Sequence, residues 1–192
     1  MAYEAKNFGS LLGMQELSDS LLNNHFILYQ GYVNNTKKLM ETAGSMAAQG
    51  KTETPEFAEI KRRIGWEFNG MRLHELYFSN IVKGGNIFGR WSKLNRKINE
   101  DFGSYENWER EFKAIGMMRG IGWVVLCYDP LAKKLINIWV NEHDAGHLAG
   151  TVPLLVMDMF EHAYMPDYGL KKSDYIGAFF KLINWGVVES RM

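Results

Sequence analysis

The chain has 192 residues, a formal net charge of +0, 46% hydrophobic residues and 14% aromatic residues. That length makes one large domain or two small ones with room for a core, and the balanced charge offers no basic patch for nucleic acid and no acidic tail. The single cysteine, Cys127, excludes a disulfide framework and a thiolate-rich zinc site, and no apolar segment is long enough to span a membrane. Without an uninterrupted apolar signal run near the N-terminus, a cytoplasmic location is the expectation.

Residues 1–17 read as an irregular arm. Ser18 can cap a helix that carries Leu22, Phe26, Tyr29 and Val33 at helical spacing, with His25 on it. Gly44 through Pro55 reads as a loop. Thr54-Pro55-Glu56 opens a second helix bearing Ile60, Ile64, Phe68, Met71 and Phe78 on one stripe, with His74 among them. The two helices form an antiparallel hairpin, and Gly84-Gly85-Asn86 ends it. A short helix follows near Lys93–Asp101, and Ser104 caps another. Gly120–Tyr128 reads as a strand, Asp129-Pro130 turns the chain, and Leu135–Val140 returns antiparallel to it.

His143 and His147 have the spacing of a metal-binding pair, but Gly146 and Gly150 place them in a loop. The apolar run Pro153–Met157 leads into Asp158-Met159-Phe160-Glu161-His162-Ala163-Tyr164. On a helix, Asp158 and His162 share one face, one turn apart, and can grip one small cation. A carboxylate with histidines suits iron, manganese or zinc better than calcium. An unpaired charge among such apolar neighbours is costly, which favours a bound ion.

This last stretch resembles the Asp-x-Trp-Glu-His-Ala-Tyr signature of the iron/manganese superoxide dismutase family, with Phe160 for the Trp. Gln30-Gly31-Tyr32-Val33-Asn34-Asn35 is similar to the family's Gln-Thr-Tyr-Val-Asn-Asn. Phe102-Gly103-Ser104-Tyr105 is similar to Phe-Gly-Ser-Phe, and Gly120-Ile121-Gly122-Trp123 to Gly-Ser-Gly-Trp. Lys172–Ile176 and Asn184-Trp185 match its closing segment, so the resemblance runs from about Ser18 to Trp185.

The resemblance implies an α+β fold. Residues 1–86 would form an N-terminal antiparallel helical hairpin domain. Residues 87–192 would form a C-terminal α/β metal-binding domain with a small three-stranded antiparallel sheet. It also implies one iron or manganese ion per chain, held by His25, His74, Asp158 and His162. Tyr32 would guard the substrate channel, and Trp123 and Phe160 would enclose the site. Glu161 would reach the partner's His162 across a dimer interface that also includes Tyr164, in a homodimer or tetramer. No nucleic acid or membrane partner is implied.

The implied activity is disproportionation of superoxide to oxygen and hydrogen peroxide, as the ion alternates between trivalent and divalent states. Zinc lacks that redox chemistry. The rival reading is a catalytically silent or non-dismutase mononuclear metal protein on the same fold. Paired Glu-x-x-His motifs of a ferritin-like di-iron site are absent.

Further departures from the family pattern bear on the site. Seven residues separate His25 from Tyr32, one fewer than in the family. Seven residues turn a helix by about 700°, so both side chains share a face without distortion. The shortening also removes the family's outer histidine one turn after the ligand, where Leu28 or Tyr29 stands. Finally, Gly70 lies one turn before His74, where iron-type members carry a glutamine. His143 falls on another family glutamine, one that hydrogen-bonds solvent on the metal. It is expected to reach into the volume at Gly70 as a titratable donor near neutral pH.

Overall fold

The computed structural model describes residues 3–192. Ser18 caps α1 (Asp19–Ala48), its hydroxyl accepting from the Leu21 amide at 3.1 Å. Thr54 caps α2 (Pro55–Asn80) through the Phe57 amide at 3.2 Å, with Pro55 in the first turn. Contacts pair residue 25 with 78, 29 with 75, 32 with 70 and 35 with 67, so the helices run antiparallel. Their seam buries Leu22, Tyr29, Val33, Met71 and Phe78, whereas Ile60 and Ile64 near the start of α2 are only half-buried.

The loop between them is shorter than expected, because α1 runs past Gly44 to Ala48. Ala43, Ala47 and Ala48 are strong helix formers, and they offset the cost of about 1 kcal/mol for one glycine in a helix. The arm, described from Tyr3 on, contains one 3-10 turn at Gly9–Leu11. It straps the hairpin: the Lys6 amide donates to Tyr29 Oη at 3.0 Å, and Lys6 Nζ meets Glu75 at 3.0 Å.

Beyond the hairpin come α3 (Lys93–Phe102) and α4 (Tyr105–Gly116), capped by Ser92 and Ser104. Three strands follow: β1 (Gly122–Asp129), β2 (Lys134–Asn141) and β3 (Val152–Asp158). They form one antiparallel sheet in the order β2-β1-β3. The central strand β1 is buried from Gly122 to Cys127, which its unbroken apolar run requires. The chain closes with α5 (Met165–Tyr168), α6 (Lys172–Leu182) and α7 (Trp185–Ser190).

Polar contacts pin β3 to the end of α2. Asn80 Nδ2 donates to the Val156 carbonyl at 2.7 Å, and the Asn184 amide donates to the Asn80 carbonyl at 2.6 Å. Arg191 reaches the Leu154 carbonyl at 2.6 Å. β3 therefore ends beside the two helices, and the register sets Asp158 opposite Trp123.

Asp101 ties α3 to the sheet. Its side chain, 3% exposed, accepts from Lys134 at 2.8 Å, from the Leu135 amide at 2.8 Å and from Lys97 at 3.1 Å. Burial pushes its carboxyl up, but Lys134, the Leu135 amide and Lys97 outweigh this and hold it below the usual range. A depressed carboxyl stabilises the fold above its unfolded value and loses that contribution as pH falls through the folded value. Asp101→Asn should therefore cost about 1–3 kcal/mol in urea unfolding at pH 7, and the gap to wild type should close below about pH 4.

Candidate metal centre

Four side chains converge where α1, α2 and the end of β3 meet. His25 lies on α1, His74 on α2, Asp158 ends β3, and His162 sits in a 3-10 turn at Glu161–Ala163. Asp158 and His162 are thus not on one α-helix, the setting in which their spacing would place them on one face. Asp158 is still extended, and the chain bends after it as the Phe160 amide donates to Asp158 Oδ1 at 2.8 Å. That turn, not a helical face, brings His162 back.

Asp158 Oδ2 is the hub. It lies 3.2 Å from His25 Nε2, 3.2 Å from His162 Nε2 and 3.7 Å from His74 Nε2. One ligand atom from each of the four residues falls within 4.8 Å of the others. His25, His74 and Asp158 are fully buried, and the His162 side chain is 28% exposed.

The hydrogen bonds fit this set to a cation. His74 donates from Nδ1 to the Gly70 carbonyl at 2.6 Å, which leaves a lone pair on Nε2 facing the site. Among the described residues, His74 Nε2 and both ring nitrogens of His25 have no hydrogen-bond partner. Orphaned buried nitrogens of this kind are costly, and a metal ion held by His25 Nε2 and His74 Nε2 would remove the cost at those two atoms. Burial lowers the pKa of both His25 and His74, so they are neutral donors. Burial alone would raise Asp158, but His162 and His25 beside it hold its carboxyl well below the usual range. The buried site therefore carries a negative charge that calls for a cation. Donors 3.2–3.7 Å apart suit a first-row ion about 2.1 Å from each.

Around this set is a collar of aromatic rings. Trp123 meets His74 edge-on at 5.0 Å. Buried His143 is surrounded by half-buried Tyr32, Trp66 and Phe160, with ring centroids at 4.8, 4.9 and 4.7 Å. His143 is thus inside the site, although its chemistry differs from the sequence expectation. Trp123 Nε1, which can only donate, points to His143 Nδ1 at 3.1 Å. The ring proton must then sit on Nε2, which donates to Tyr32 Oη at 2.7 Å. Both ring nitrogens are engaged, and the Tyr32 hydroxyl hydrogen is left free to point inward. Burial lowers the His143 pKa to about 4, so it does not titrate near neutrality.

The space at Gly70 is also filled differently. A Cβ there would stand 2.5 Å from Tyr32 Cδ1, so the Tyr32 ring, not His143, occupies that volume. The ring also stacks on His74 at 5.2 Å. Of the two candidates one turn after His25, Tyr29 is the buried one; it donates to Glu75 Oε1 at 3.1 Å. Glu161 is exposed, and Tyr164 packs on Tyr175 at 5.6 Å. His147 only reaches back to the His143 carbonyl, at 2.9 Å.

Sequence reasoning missed Trp66 and Glu75. Trp66, Gly70 and His74 lie four residues apart along one ridge of α2, and that row was a usable signal. No spacing links Glu75 to Tyr29.

A helical hairpin and a three-stranded α/β region that together gather three histidines and one aspartate define a mononuclear metalloprotein. Residues 90–191 match the family described as iron/manganese superoxide dismutases, C-terminal domain. Superoxide dismutase [Fe] of Cupriavidus metallidurans is 37% identical over 196 residues, covering 100% of this chain and 96% of that protein. Superoxide dismutase [Mn] of Haloarcula marismortui is 38% identical over 170 residues, covering 88% and 82%. Superoxide dismutase [Fe] of Aquifex pyrophilus is 34% identical over 184 residues, covering 93% and 85%. The chain belongs to the iron/manganese superoxide dismutase family.

Proposed function

We propose that this chain disproportionates superoxide to oxygen and hydrogen peroxide, using one iron or manganese ion held by His25, His74, Asp158 and His162. The observation that carries the ligand assignment is the convergence of orphaned, buried imidazole nitrogens on one buried carboxylate oxygen. When bound, the ion supplies one-electron chemistry by alternating between two oxidation states. The chain's own residues supply the rest. Tyr32, pushed up to about 12 by burial, stays protonated and can donate from its free hydroxyl hydrogen at the site. His143 orients that hydroxyl, and Trp123 fixes the His143 tautomer. Phe160 stacks on both His143 and His162 and limits the entry of water.

Metal analysis and dismutase turnover on one metal-replete sample test this reading. About one ion per chain and turnover well above that of the free ion are expected. A metal-replete protein without turnover would refute the activity. Tyr32→Phe should retain the ion while turnover falls by about tenfold or more, since a positioned proton donor is lost. Unchanged turnover would remove Tyr32 from proton delivery.

Exposed Glu161 next to partly exposed His162 supports a two-fold homodimer in which Glu161 reaches the partner's His162. A tetramer built from such dimers would leave this contact unchanged. The hairpin of residues 1–86 and the α/β part of residues 87–192 act as two domains that share one site. Among the described residues no helix is long and apolar enough to cross a membrane, in keeping with a cytoplasmic place.

A further inference from the structure

Arg63 and Glu67 form an ion pair that the chemistry above does not use. Glu67 is only 4% exposed. Its Oε1 accepts from Arg63 Nε at 2.9 Å and lies 2.7 Å from Nη2, and its Oε2 accepts from Asn35 at 3.2 Å. The Arg63 side chain is 50% exposed, and its guanidinium carbon lies 5.0 Å from the centre of the Trp66 ring. Trp66 in turn meets His143. From the outside inward the order is Arg63, Trp66, His143 with Tyr32, and then the four converging side chains. Arg63 precedes His74 by eleven residues, about 16 Å along the helix, so it stands well away from the four converging side chains.

The pair is asymmetric: its positive end faces solvent and its negative end is buried behind. The substrate of the proposed reaction is a small monoanion, which an exposed guanidinium attracts. We propose that Arg63 draws superoxide to the collar of Tyr32, Trp66 and Phe160, and that Glu67 limits this pull by cancelling part of the Arg63 charge. This rests on the dismutase reading. The plain alternative is an i,i+4 ion pair that only supports the helix. Steering and support differ in sign. Loss of support harms either variant, whereas steering makes the two variants move oppositely.

The test is the second-order dismutation rate of the metal-loaded protein at low superoxide, at ionic strengths of about 0.01 M and about 0.5 M. Arg63→Gln should be about twofold slower at low ionic strength, and Glu67→Gln about twofold faster. The difference should vanish at high ionic strength. Arg63→Lys, which keeps the charge but loses the planar fork, should retain the wild-type rate. Lys51→Gln, in the loop at the far end of the hairpin, makes the same charge change and should have no effect. The affinity for azide, a small inert monoanion, should fall in Arg63→Gln and rise in Glu67→Gln by similar factors in a spectral titration.

Two results would overturn the proposal: Arg63→Gln and Glu67→Gln moving the rate in the same direction, or Arg63→Gln matching Lys51→Gln. If Glu67→Gln does not fold, Arg63→Glu replaces it and should be slower than Arg63→Gln; a rate equal to or above that of Arg63→Gln overturns the proposal. A wild type without dismutation would instead refute the activity itself, so the two failures are distinct.

Discussion

Asp158→Ala is expected to leave purification without iron or manganese, and without dismutation above that of the free ion. Its Oδ2 is the point on which three imidazoles converge at 3.2–3.7 Å, and it is the set's one anionic donor. Losing a mere supporting partner of a metal ligand lowers affinity by about 10–100-fold, so losing the hub should exceed about 100-fold. Asp158→Asn separates charge from shape. The amide can still accept from the Phe160 amide, so the turn into Glu161–Ala163 should survive, yet the charge that attracts the ion is gone. Both variants should be metal-poor. Added metal should raise the melting temperature of the wild type, because a ligand that binds only the folded state stabilises it, and should leave both variants unchanged. A metal-replete, active Asp158→Ala would remove Asp158 from the ligand set.

Gly70→Ala is expected to displace Tyr32 and to lower turnover sharply. In an ordinary helix the change would stabilise by about 1 kcal/mol. Here the new methyl would lie 2.5, 2.7 and 2.9 Å from three atoms of the Tyr32 ring. The ring has little freedom, since it stacks on His74 and its hydroxyl accepts from His143. Overpacking of this kind costs about 1–3 kcal/mol, which offsets or exceeds the helix gain. The methyl would also break the Tyr32–His143 hydrogen bond. Metal content should be retained, because the Gly70 carbonyl that accepts from His74 is unchanged. The double variant Gly70→Ala/Tyr32→Ala should recover stability but not turnover. A more stable and fully active Gly70→Ala would show that the ring yields freely.

Local chemistry was the legible part of this sequence. Ser18, Thr54 and Ser104 marked helix starts, because a hydroxyl before an apolar periodic run has few other uses. The seven-residue step from His25 to Tyr32 gave their shared face. The resemblance, not periodicity, brought His25 and His74 together with Asp158 and His162. The Asp158–His162 spacing misled, because a strand end followed by a tight turn also returns a side chain after four residues. The volume at Gly70 and the buried place of His143 depend on Tyr32, which lies in another element. No one-dimensional pattern reports which of two neighbouring rings fills a gap.

The four converging side chains are spread far along the chain, from His25 to His162, and that span has a consequence for the order of assembly. As the chain leaves the ribosome, the hairpin emerges complete while β3 is still unmade. Two neutral imidazoles on that hairpin lack the anionic oxygen that makes the finished set hold a cation. Asp158 arrives only when β3 docks against the end of α2 through Asn80 and Val156. A complete four-donor set therefore exists only once β3 has docked, so the ion is bound late in assembly and not by the hairpin alone.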